Sequence, residues 1–456
     1  MTKYYPLTSG QRINFFSWKY SPIKSIVDIC TMVHYDAELN EEILKQAIYL
    51  AILRNPSSKV RLHLVDKEYK QYFSDAAPEQ IEILDYTDKT EDDLRADADA
   101  WSKIPFPNKS LDVQLYRVKL IRKAEGKFSI YFCVSHMLFD AFSLMAMVKD
   151  MMECYLALRD SKPLPPLKEN LMKVYEEDWT YPTSKKHEKD RAFWGNVYKE
   201  GGEPKYTSLN GYEAKENFLG KKISPRAGKT LYLFRVAAKH YNARLAKEIA
   251  DAVNAYAESI QVSPQVIYLL AIRSMLSKVN KDENDVTFMN TVARRATLAQ
   301  KTGFGTRVLA VLFRAKLDNA NMSFREACLE MQRLQFAYYQ HSNIDTSEVL
   351  DMQTEFYKAP ATTGYTTVSV TYQPYIAFAG DEIPTRLETF STGANTMPCY
   401  LTIMAVDNSG ELNFNYDYMT MFFTEETMKK THEHVTKFLK AAMEDPERTL
   451  LELNHI

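Results

Sequence analysis

A histidine and an aspartate stand four residues apart in the segment VSHMLFDA, residues 134–141. The imidazole of His136 has an ordinary pKa of about 6.5, so near neutral pH it can accept a proton from a substrate. The carboxylate of Asp140 can fix the loop that presents this histidine, either directly or through an arginine. The segment therefore predicts a general base on a positioned loop.

The sequence on either side of this pair predicts the elements that would position it. Residues 128–134, FSIYFCV, form an almost continuous apolar run, which is typical of a strand buried on both faces. His136 falls where this strand ends, and a helix that continues to residue 158 starts near Asp140. The histidine would then lie in a strand-to-helix turn.

Helix and strand patterns alternate along the rest of the chain. An apolar stripe predicts a helix over 41–53, and period-two alternation over 111–121, which shifts phase at Leu115-Tyr116, predicts a strand with a bulge or a sharp twist. In the second half the patterns predict helices at 243–257, 264–278, 324–340 and 425–443, and strands at 286–292, 307–316, 366–373, 400–406 and 411–418. This mixture indicates an α/β protein.

Between residues 160 and 185 the regular patterns are interrupted by Pro163, Pro165, Pro166 and Pro182. Charged and polar residues lie between these prolines, which is typical of a loop or linker. A chain of 456 residues is long enough for two domains, at about 100–200 residues each. We therefore predict an N-terminal domain over 1–178, which carries the His136 motif, and a C-terminal domain over 179–456.

The spacing of the motif is only weakly specific, because it recurs at His341 and Asp345 in HSNID. The second copy follows a predicted helix and lies in a polar stretch, so we interpret it as a surface loop. On spacing alone, a core histidine with a backbone hydrogen-bond partner remains the stronger interpretation of His136. Context is needed to decide between the two.

Composition excludes several classes of protein. The 57 basic and 59 acidic side chains nearly cancel without a basic stripe, so no nucleic-acid partner is expected. Five scattered cysteines without a CxxC pair argue against a disulfide framework and against a structural zinc site. The start MTKYYPLTSGQR lacks a signal-peptide pattern, and no apolar stretch reaches the roughly 20 residues that span a bilayer. We expect a cytoplasmic protein with no membrane span and no metal site.

The chain resembles a known family at six places, and these keep the family's order. SHMLFDA is similar to the HHxxxDG motif of nonribosomal peptide synthetase condensation domains, which belong to the chloramphenicol-acetyltransferase-like superfamily. The other matches are the opening YPLTSGQRINFF, the first helix LNEEILKQAIYLAILRNP, the segment EKDRAFWGNVY that closes the first lobe, the strand-loop-strand NTVARRATLAQKTGFGTRVLAVLFR, and the C-terminal YDYMTMFFTEETMKKTHEHVTKFLKAAMEDPERTLLEL.

This resemblance implies an α/β fold of two acetyltransferase-like lobes, arranged as a V-shaped pseudo-dimer with a central tunnel. Donor and acceptor would enter from opposite faces and meet at the motif's second histidine, which is His136 here. Asp140 would be structural and tied to Arg295 in a buried ion pair.

The same resemblance implies three candidates for the tunnel wall or for substrate binding. Gly305 matches the family's glycine in the strand-loop-strand segment, and Tyr372 and Gln373 match a strand that is expected to line the tunnel. An aromatic residue at a strand end is equally often part of a core, so both interpretations of Tyr372 stay open.

The chain departs from the family motif at two positions. Ser135 replaces the first histidine and Ala141 replaces the closing glycine. The chemistry of the family is assigned to the second histidine, which is kept as His136. The Cβ of Ala141 could narrow the tunnel or shift the loop.

The resemblance implies a free-standing condensation enzyme that joins an acyl or aminoacyl thioester to an amine and forms an amide or peptide bond. The donor would be the phosphopantetheine thioester of an acyl- or peptidyl-carrier protein, or coenzyme A, and no cofactor would be bound permanently. The alternatives are an O-acyltransferase that esterifies an alcohol and a non-catalytic module that docks carrier proteins.

Overall fold

The computed structural model of the protein describes residues 2–107, 110–167, 171–211, 216–218, 221–223, 235–359, 364–374, 383–407 and 409–456. Contacts within the chain divide it into two compact units. Unit 1 comprises Met1–Thr183, Ala293–Val308 and Ile376–Ala394, and unit 2 comprises Ser184–Val292, Leu309–Tyr375 and Asn395–Ile456.

The strands, in chain order, are β1 (Asp28–Tyr35), β2 (Val60–Val65), β3 (Glu68–Phe73), β4 (Glu82–Asp85), β5 (Tyr116–Arg122), β6 (Phe128–Ser135), β7 (Glu216–Phe218), β8 (Lys221–Ile223), β9 (Ala238–Leu245), β10 (Asp285–Val292), β11 (Leu309–Lys316), β12 (Val368–Gln373), β13 (Thr385–Phe390), β14 (Cys399–Ala405) and β15 (Leu412–Met419). The helices are α1 (Ser9–Tyr20), α2 (Glu41–Arg54), α3 (Glu91–Ser102), α4 (Ala141–Arg159), α5 (Leu171–Thr180), α6 (Lys185–Gly201), α7 (Lys247–Ser259), α8 (Pro264–Val279), α9 (Leu298–Thr302), α10 (Phe324–Gln340), α11 (Thr346–Phe356), α12 (Glu425–Glu444) and α13 (Leu450–Asn454).

The sheet of unit 1 has the strand order β13-β1-β6-β5-β4. Its central strand β6 pairs antiparallel with β1 and with β5, and every residue of β6 is buried. The apolar run that predicted this strand is therefore explained by cover on both faces of the sheet. The predicted helix over 41–53 is confirmed by α2, which packs against α4.

Unit 1 is not one continuous stretch of chain. The sequence predicts domains over 1–178 and 179–456, whereas unit 1 extends to Thr183 and takes in two later segments. In the second of these segments, β13 pairs antiparallel with β1 and becomes the edge of the sheet. Pairing between strands so far apart in the sequence leaves no local pattern, so a single division point does not describe the units.

The main sheet of unit 2 has the strand order β11-β10-β12-β14-β15-β9. The pairs β10–β12 and β12–β14 are parallel and the others are antiparallel. The helix α8 is buried along most of its length, from Val266 to Ser277, and it packs against α10 and α12. These three helices confirm the predictions for 264–278, 324–340 and 425–443.

Two predicted elements have the wrong bounds or type. The strand predicted over 111–121 starts only at Tyr116, because Leu111 and Leu115 are buried within an irregular segment rather than on a strand face. The helix predicted over 243–257 starts at Lys247, since the residues before it belong to β9 and pair with β15. In the second case pairing with the distant strand β15 decided the element, and a local pattern does not report such pairing.

The second HxxxD copy lies in a turn between two helices of unit 2. Asp345 caps α11, because its carboxylate accepts a hydrogen bond from Ser347 N at 2.9 Å. The predicted loop is confirmed as a turn, in which the side chain of His341 is 23% exposed and stacks on Phe193 with ring centroids 4.1 Å apart. Its Nδ1 lies 2.7 Å from the buried carboxylate of Asp190. This histidine therefore joins α6 to the end of α10.

A buried arginine organises one end of α8. Arg273 is fully buried and donates hydrogen bonds to Asn319 Oδ1 at 2.6 Å and to the carbonyl oxygens of Asn284 and Leu317 at 2.9 and 3.2 Å. We expect Arg273→Met to lower the free energy of unfolding by about 3 kcal/mol, because it leaves these buried acceptors without their charged donor. Urea unfolding followed by circular dichroism measures the change.

The matched control is Arg333→Met, also on a helix of unit 2, whose exposed guanidinium pairs with Glu330. Its stability should stay within about 0.5 kcal/mol of the wild type. Equal midpoints for the two variants would show that the hydrogen bonds of Arg273 do not hold unit 2 together.

Candidate active site

His136 begins the turn that follows the central strand of unit 1. Its backbone N–H donates to Val27 O at 2.6 Å, and the N–H of Ser135 donates to Leu115 O at 2.9 Å. The turn is closed by Leu138 N, which donates to Ser135 O at 2.9 Å. The backbone that carries the imidazole is therefore held from both neighbouring segments of the sheet.

Asp140 ends this turn and caps the helix α4. Its Oδ1 accepts a hydrogen bond from Ser143 N at 2.8 Å, while Ser143 Oγ accepts one from Asp140 N at 2.9 Å. This reciprocal pair is a capping box, which satisfies backbone donors that a helix start would otherwise leave unpaired. The helix start fixes the position of the Asp140 carboxylate.

The same carboxylate forms the buried ion pair that the resemblance implies. Arg295 Nη2 lies 2.9 Å from both carboxylate oxygens of Asp140, and Arg307 N donates to Oδ2 at 3.0 Å. The side chain of Asp140 has 0% of its surface exposed and that of Arg295 has 2%. Burial disfavours both charges, so the pair depends on this close geometry.

The Arg295 guanidinium also donates hydrogen bonds to three backbone carbonyl oxygens of the segment Ala293–Val308. Its Nη1 donates to Gln300 O at 2.7 Å and to Gly303 O at 2.8 Å, and its Nη2 donates to Gly305 O at 2.9 Å. The guanidinium lies over the ring of Phe142, 4.5 Å from the centroid. One side chain thus fastens a segment from the second half of the chain to the His136 turn.

The Asp140 carboxyl is held ionised. Burial alone would raise its pKa, but Arg295 and the hydrogen bonds from Ser143 and Arg307 hold the pKa below its ordinary value. A carboxylate that accepts several hydrogen bonds from fixed donors cannot also act as a proton carrier at neutral pH. The carboxylate therefore serves the geometry of the site.

The His136 ring is partly buried, and one of its two nitrogens has a hydrogen-bond partner. Its Nδ1 lies 3.4 Å from Thr306 Oγ1, and Asn14 Nδ2 donates to the His136 carbonyl at 3.3 Å. No described residue lies within hydrogen-bond distance of Nε2. Burial lowers the pKa of His136 and the charge of Asp140 opposes this shift. A neutral imidazole with Nε2 free can accept a proton from a nucleophile.

A second buried ion pair supports the same segment, and sequence reasoning missed it. Arg294 Nη2 lies 3.1 Å from Asp178 Oδ1, and Ser9 N donates to Asp178 Oδ2 at 2.7 Å. Arg307 has no carboxylate partner among the described residues; its side chain donates to the carbonyls of Arg294 and Val174. The consecutive arginines at 294 and 295 were the available signal.

The backbone conformation and the close neighbours at position 305 explain why this residue is a glycine. Its φ is +90°, and a Cβ there would lie 2.9 Å from Leu171 Cδ1 and 3.0 Å from Tyr175 Cε1. Gly10 makes a similar close approach, since a Cβ there would lie 2.9 Å from Thr306 O. Both glycines therefore let neighbouring segments pack tightly beside the His136 turn.

The two departures from the family motif are accommodated locally. Ser135 is 1% exposed, and its Oγ lies 3.4 Å from Met137 N, which donates to it. Ala141 is the first residue of α4 and is partly buried. Neither substitution disturbs the hydrogen bonds of the turn.

Tyr372 and Gln373 are the last residues of β12 in unit 2. Both are partly buried, and the ring of Tyr372 packs on Tyr268 of α8 with centroids 5.4 Å apart. Their part in a tunnel stays a prediction.

In the part of the chain that the structure describes, no group of His, Cys, Asp and Glu side chains could hold a metal ion. No helix there is long and apolar enough to cross a membrane.

Comparison with known proteins identifies the family. The family described as "Condensation domain" matches residues 1–456. The chain belongs to the condensation-domain family. Surfactin synthase subunit 1 of Bacillus subtilis (strain 168) is 24% identical over 463 residues, which cover 99% of this chain and 12% of that protein. The chain thus spans about one eighth of that relative's length.

Solved condensation domains share the fold. The first condensation domain of the calcium-dependent antibiotic synthetase, in complex with substrate analogue 3a, has a TM-score of 0.81 at 16% identity and covers 98% of each chain. A mutant starter condensation domain of rhizomide synthetase in complex with C8-CoA has a TM-score of 0.80 at 14% identity, and covers 98% of this chain and 97% of that one. The fold is therefore the chloramphenicol-acetyltransferase-like α/β fold that the resemblance implies.

We expect Gly305→Ala to lower the free energy of unfolding by about 2 kcal/mol, because an L side chain is strained at this φ and its Cβ meets Leu171 and Tyr175. Gly195→Ala is the control, since a Cβ on this residue of α6 meets nothing within 4 Å. It should leave stability unchanged or raise it by up to about 1 kcal/mol. Thermal unfolding of both variants measures the difference, and equal losses would contradict the packing role of Gly305.

We expect Asp140→Asn to lower the free energy of unfolding at pH 7 by about 3 kcal/mol, because it leaves the Arg295 charge buried and unpaired. The folded-state pKa of Asp140 lies below its ordinary 3.8, so the carboxylate's contribution is present above that value and is lost as the pH falls through the folded-state pKa. The difference in free energy of unfolding between wild type and Asp140→Asn should be constant from pH 7 to 5 and should become smaller below pH 4. A gap that widens on acidification would contradict this assignment.

Proposed function

We propose that the protein transfers an acyl or aminoacyl group from a thioester to an amine and forms an amide or peptide bond. Condensation domains form amide bonds from carrier-protein or coenzyme A thioesters, and this chain belongs to that family. The observation that carries the proposal is His136, which presents a free Nε2 from a turn fixed by the pair of Asp140 and Arg295.

In the proposed reaction, the amine nitrogen attacks the thioester carbonyl carbon and a C–N bond forms. His136 Nε2 accepts the proton that the nitrogen loses, because its imidazole stays neutral when burial lowers the pKa. Collapse of the tetrahedral intermediate breaks the C–S bond, and the imidazolium returns the proton to the leaving thiolate. In this step Nδ1 carries the other ring proton, which Thr306 Oγ1 at 3.4 Å can accept.

The other site residues have supporting roles in this proposal. Asp140 and Arg295 fix the turn, Ser135 and Ala141 shape its two ends, and Gly305, Tyr372 and Gln373 are the candidates for substrate binding. We further propose that units 1 and 2 correspond to the two acetyltransferase-like lobes. Their boundaries then follow the contacts of the chain rather than the predicted division at residue 178.

The proposed donor is the phosphopantetheine thioester of an acyl- or peptidyl-carrier protein, or an acyl-coenzyme A, and the protein itself keeps no bound cofactor. A neighbour with this fold was solved in complex with C8-CoA, which supports a thioester donor of this chemical type. The acceptor is a small amine. The five described cysteines are free thiols, which supports a cytoplasmic location.

The test is acyl transfer by wild type and His136→Ala, with a panel of acyl-coenzyme A and acyl-carrier donors and of amine and alcohol acceptors, followed by mass spectrometry. We expect amide product from the wild type and at least about a hundredfold less from the variant, which is the lower end for loss of a general base. Because burial lowers the pKa of His136, the acid limb of kcat/KM should lie below pH 6.5.

His341→Ala is the matched control, because His341 has the same HxxxD spacing but lies in unit 2 between α10 and α11. It should keep activity in the folded protein. Equal amounts of product from His136→Ala and wild type would contradict the proposed role of His136 as the general base. Ester product alone would indicate an O-acyltransferase, and no product from any pair would indicate a module that docks carrier proteins.

A further inference from the structure

The sheet of unit 1 ends at a strand with a free outer edge. β4 is the last strand in the order β13-β1-β6-β5-β4, and it pairs parallel with β5 alone. Tyr86 N donates to Arg122 O at 2.9 Å, so the alternation along the strand turns the backbone groups of Ile83 and Asp85 away from β5. No described residue forms a hydrogen bond with these outward groups, which are therefore available to another strand.

A groove of about 610 Å³ lies beside this edge, between β4 and the helix α2. Tyr49 and Leu50 line it from α2, and Ile81 and Ile83 line it from the side of β4. Tyr49 and Ile83 are each 38% exposed, although both have large apolar side chains. The groove therefore offers apolar surface that a bound partner would remove from water.

The groove lies where side chains of an added strand would project. Side chains along a strand alternate between the two faces of the sheet, and Ile81 and Ile83 share the face on which α2 lies. A strand paired with the outward backbone groups of β4 would place every second side chain on that same face, in the groove. Backbone hydrogen bonds would then supply affinity and the groove would select the side chains, as in other cases of strand addition to a sheet edge.

The charge around this edge is negative. The segment 74–85, which leads into β4 and includes it, carries four acidic residues and no basic residue. Glu82 and Asp85 pair with basic residues of β5, whereas Asp75 and Glu79 form no ion pair with any residue that the structure describes. Two uncompensated negative charges beside the groove favour a partner that carries lysine or arginine.

A second copy of this chain fits the edge less well than a basic peptide does. Antiparallel pairing of two β4 strands would bring Glu82 of each copy close to Asp85 of the other, and like charges opposite each other destabilise a strand pair. The short length of β4 and the charged residues at both its ends are also features by which edge strands avoid pairing with themselves. These charges disfavour self-pairing and favour a partner of opposite charge.

We propose that β4 and its groove bind an extended, basic segment of another polypeptide, which adds a strand to the sheet of unit 1. The backbone N–H and C=O groups of Ile83 and Asp85 exchange hydrogen bonds with this segment, and its alternate apolar side chains enter the groove beside Tyr49. Its lysine or arginine residues lie near Asp75 and Glu79. The interaction uses none of the residues assigned to the His136 site, so it stands or falls independently of the proposed function.

The probe is the end-blocked, fluorescein-labelled peptide Lys-Val-Thr-Val-Thr-Val-Lys, and its binding to the full chain is measured by fluorescence anisotropy. The valines occupy alternate positions and so share one face of an added strand, and the lysines flank them. We expect saturable binding with a Kd below about 1 mM, and at least about tenfold weaker binding when glutamate replaces both lysines. No saturable binding of the lysine peptide, or equal binding of the two peptides, would overturn the proposal.

Methylation of peptide nitrogens tests the backbone pairing without changing the protein. In an added strand the N–H groups of alternate residues point toward β4 and the others point toward solvent. Methylating the valine nitrogens and, in a second peptide, the threonine nitrogens should weaken binding by at least about tenfold in one case and by less than about threefold in the other. Equal effects of the two methylations would show that the peptide does not bind as a strand.

Ile83→Lys is the test variant on the protein. Lysine is common on edge strands, so β4 should still form, but its charge in the groove should weaken binding of the lysine peptide by at least about tenfold. Leu64→Lys is the matched control, because Leu64 is 53% exposed on β2, which belongs to the separate sheet of β2 and β3. This control should bind the peptide as the wild type does. Equal affinities of Ile83→Lys and wild type would place the peptide elsewhere and overturn the proposal.

Two further measurements identify what occupies the edge. Hydrogen exchange followed by mass spectrometry should be slower over residues 81–85 when the peptide is present, because the outward N–H groups of Ile83 and Asp85 become hydrogen-bonded. Sedimentation of the free chain should give the same mass for wild type and Ile83→Lys. A wild-type dimer that Ile83→Lys dissociates would show that a second copy of the chain occupies β4, and would overturn the assignment to a basic peptide.

Discussion

The buried ion pair between Asp140 and Arg295 is the interaction on which the candidate site depends. The Asp140 carboxylate caps α4 and receives the backbone N–H of Arg307, while the guanidinium binds three carbonyls of the segment Ala293–Val308. A buried pair of this kind contributes more to a defined geometry than to net stability. Its consequence here is that the His136 turn and a segment from the second half of the chain hold one arrangement.

The surroundings of this pair carry an excess of positive charge. The arginines at 294, 295 and 307 are buried together, whereas the carboxylates that pair with them belong to Asp140 and Asp178. Burial and the two neighbouring arginines lower the pKa of Arg307 to about 10, which still leaves it charged at neutral pH. Burial of the ring lowers the pKa of His136, and the charge of Asp140 opposes this shift. Burial therefore keeps the imidazole neutral and available as a base.

Hydrogen bonds within unit 1 satisfy the Asp140 carboxylate, as a rigid support requires. It accepts from Ser143 N, Arg307 N and Arg295 Nη2. The guanidinium beside it donates through Nη1 and Nη2, whereas its Nε is buried without a partner among the described residues. The support of the His136 turn therefore depends on the two Nη atoms of Arg295.

The sequence by itself determined the elements whose signals are local. The apolar run of β6, the helix after Asp140 and the stripe of α2 were readable because burial on a strand or helix repeats at short spacing. His136, Asp140 and Arg295 were found through motif order, since spacing alone also selected His341. Tertiary structure decided which distant segments meet: β13 beside β1, Asp178 with Arg294, and Asp28 opposite Ser135. Such contacts depend on how the whole chain folds. Contacts between residues far apart in sequence produce no periodic pattern of apolar and polar residues, so a local sequence pattern does not predict them.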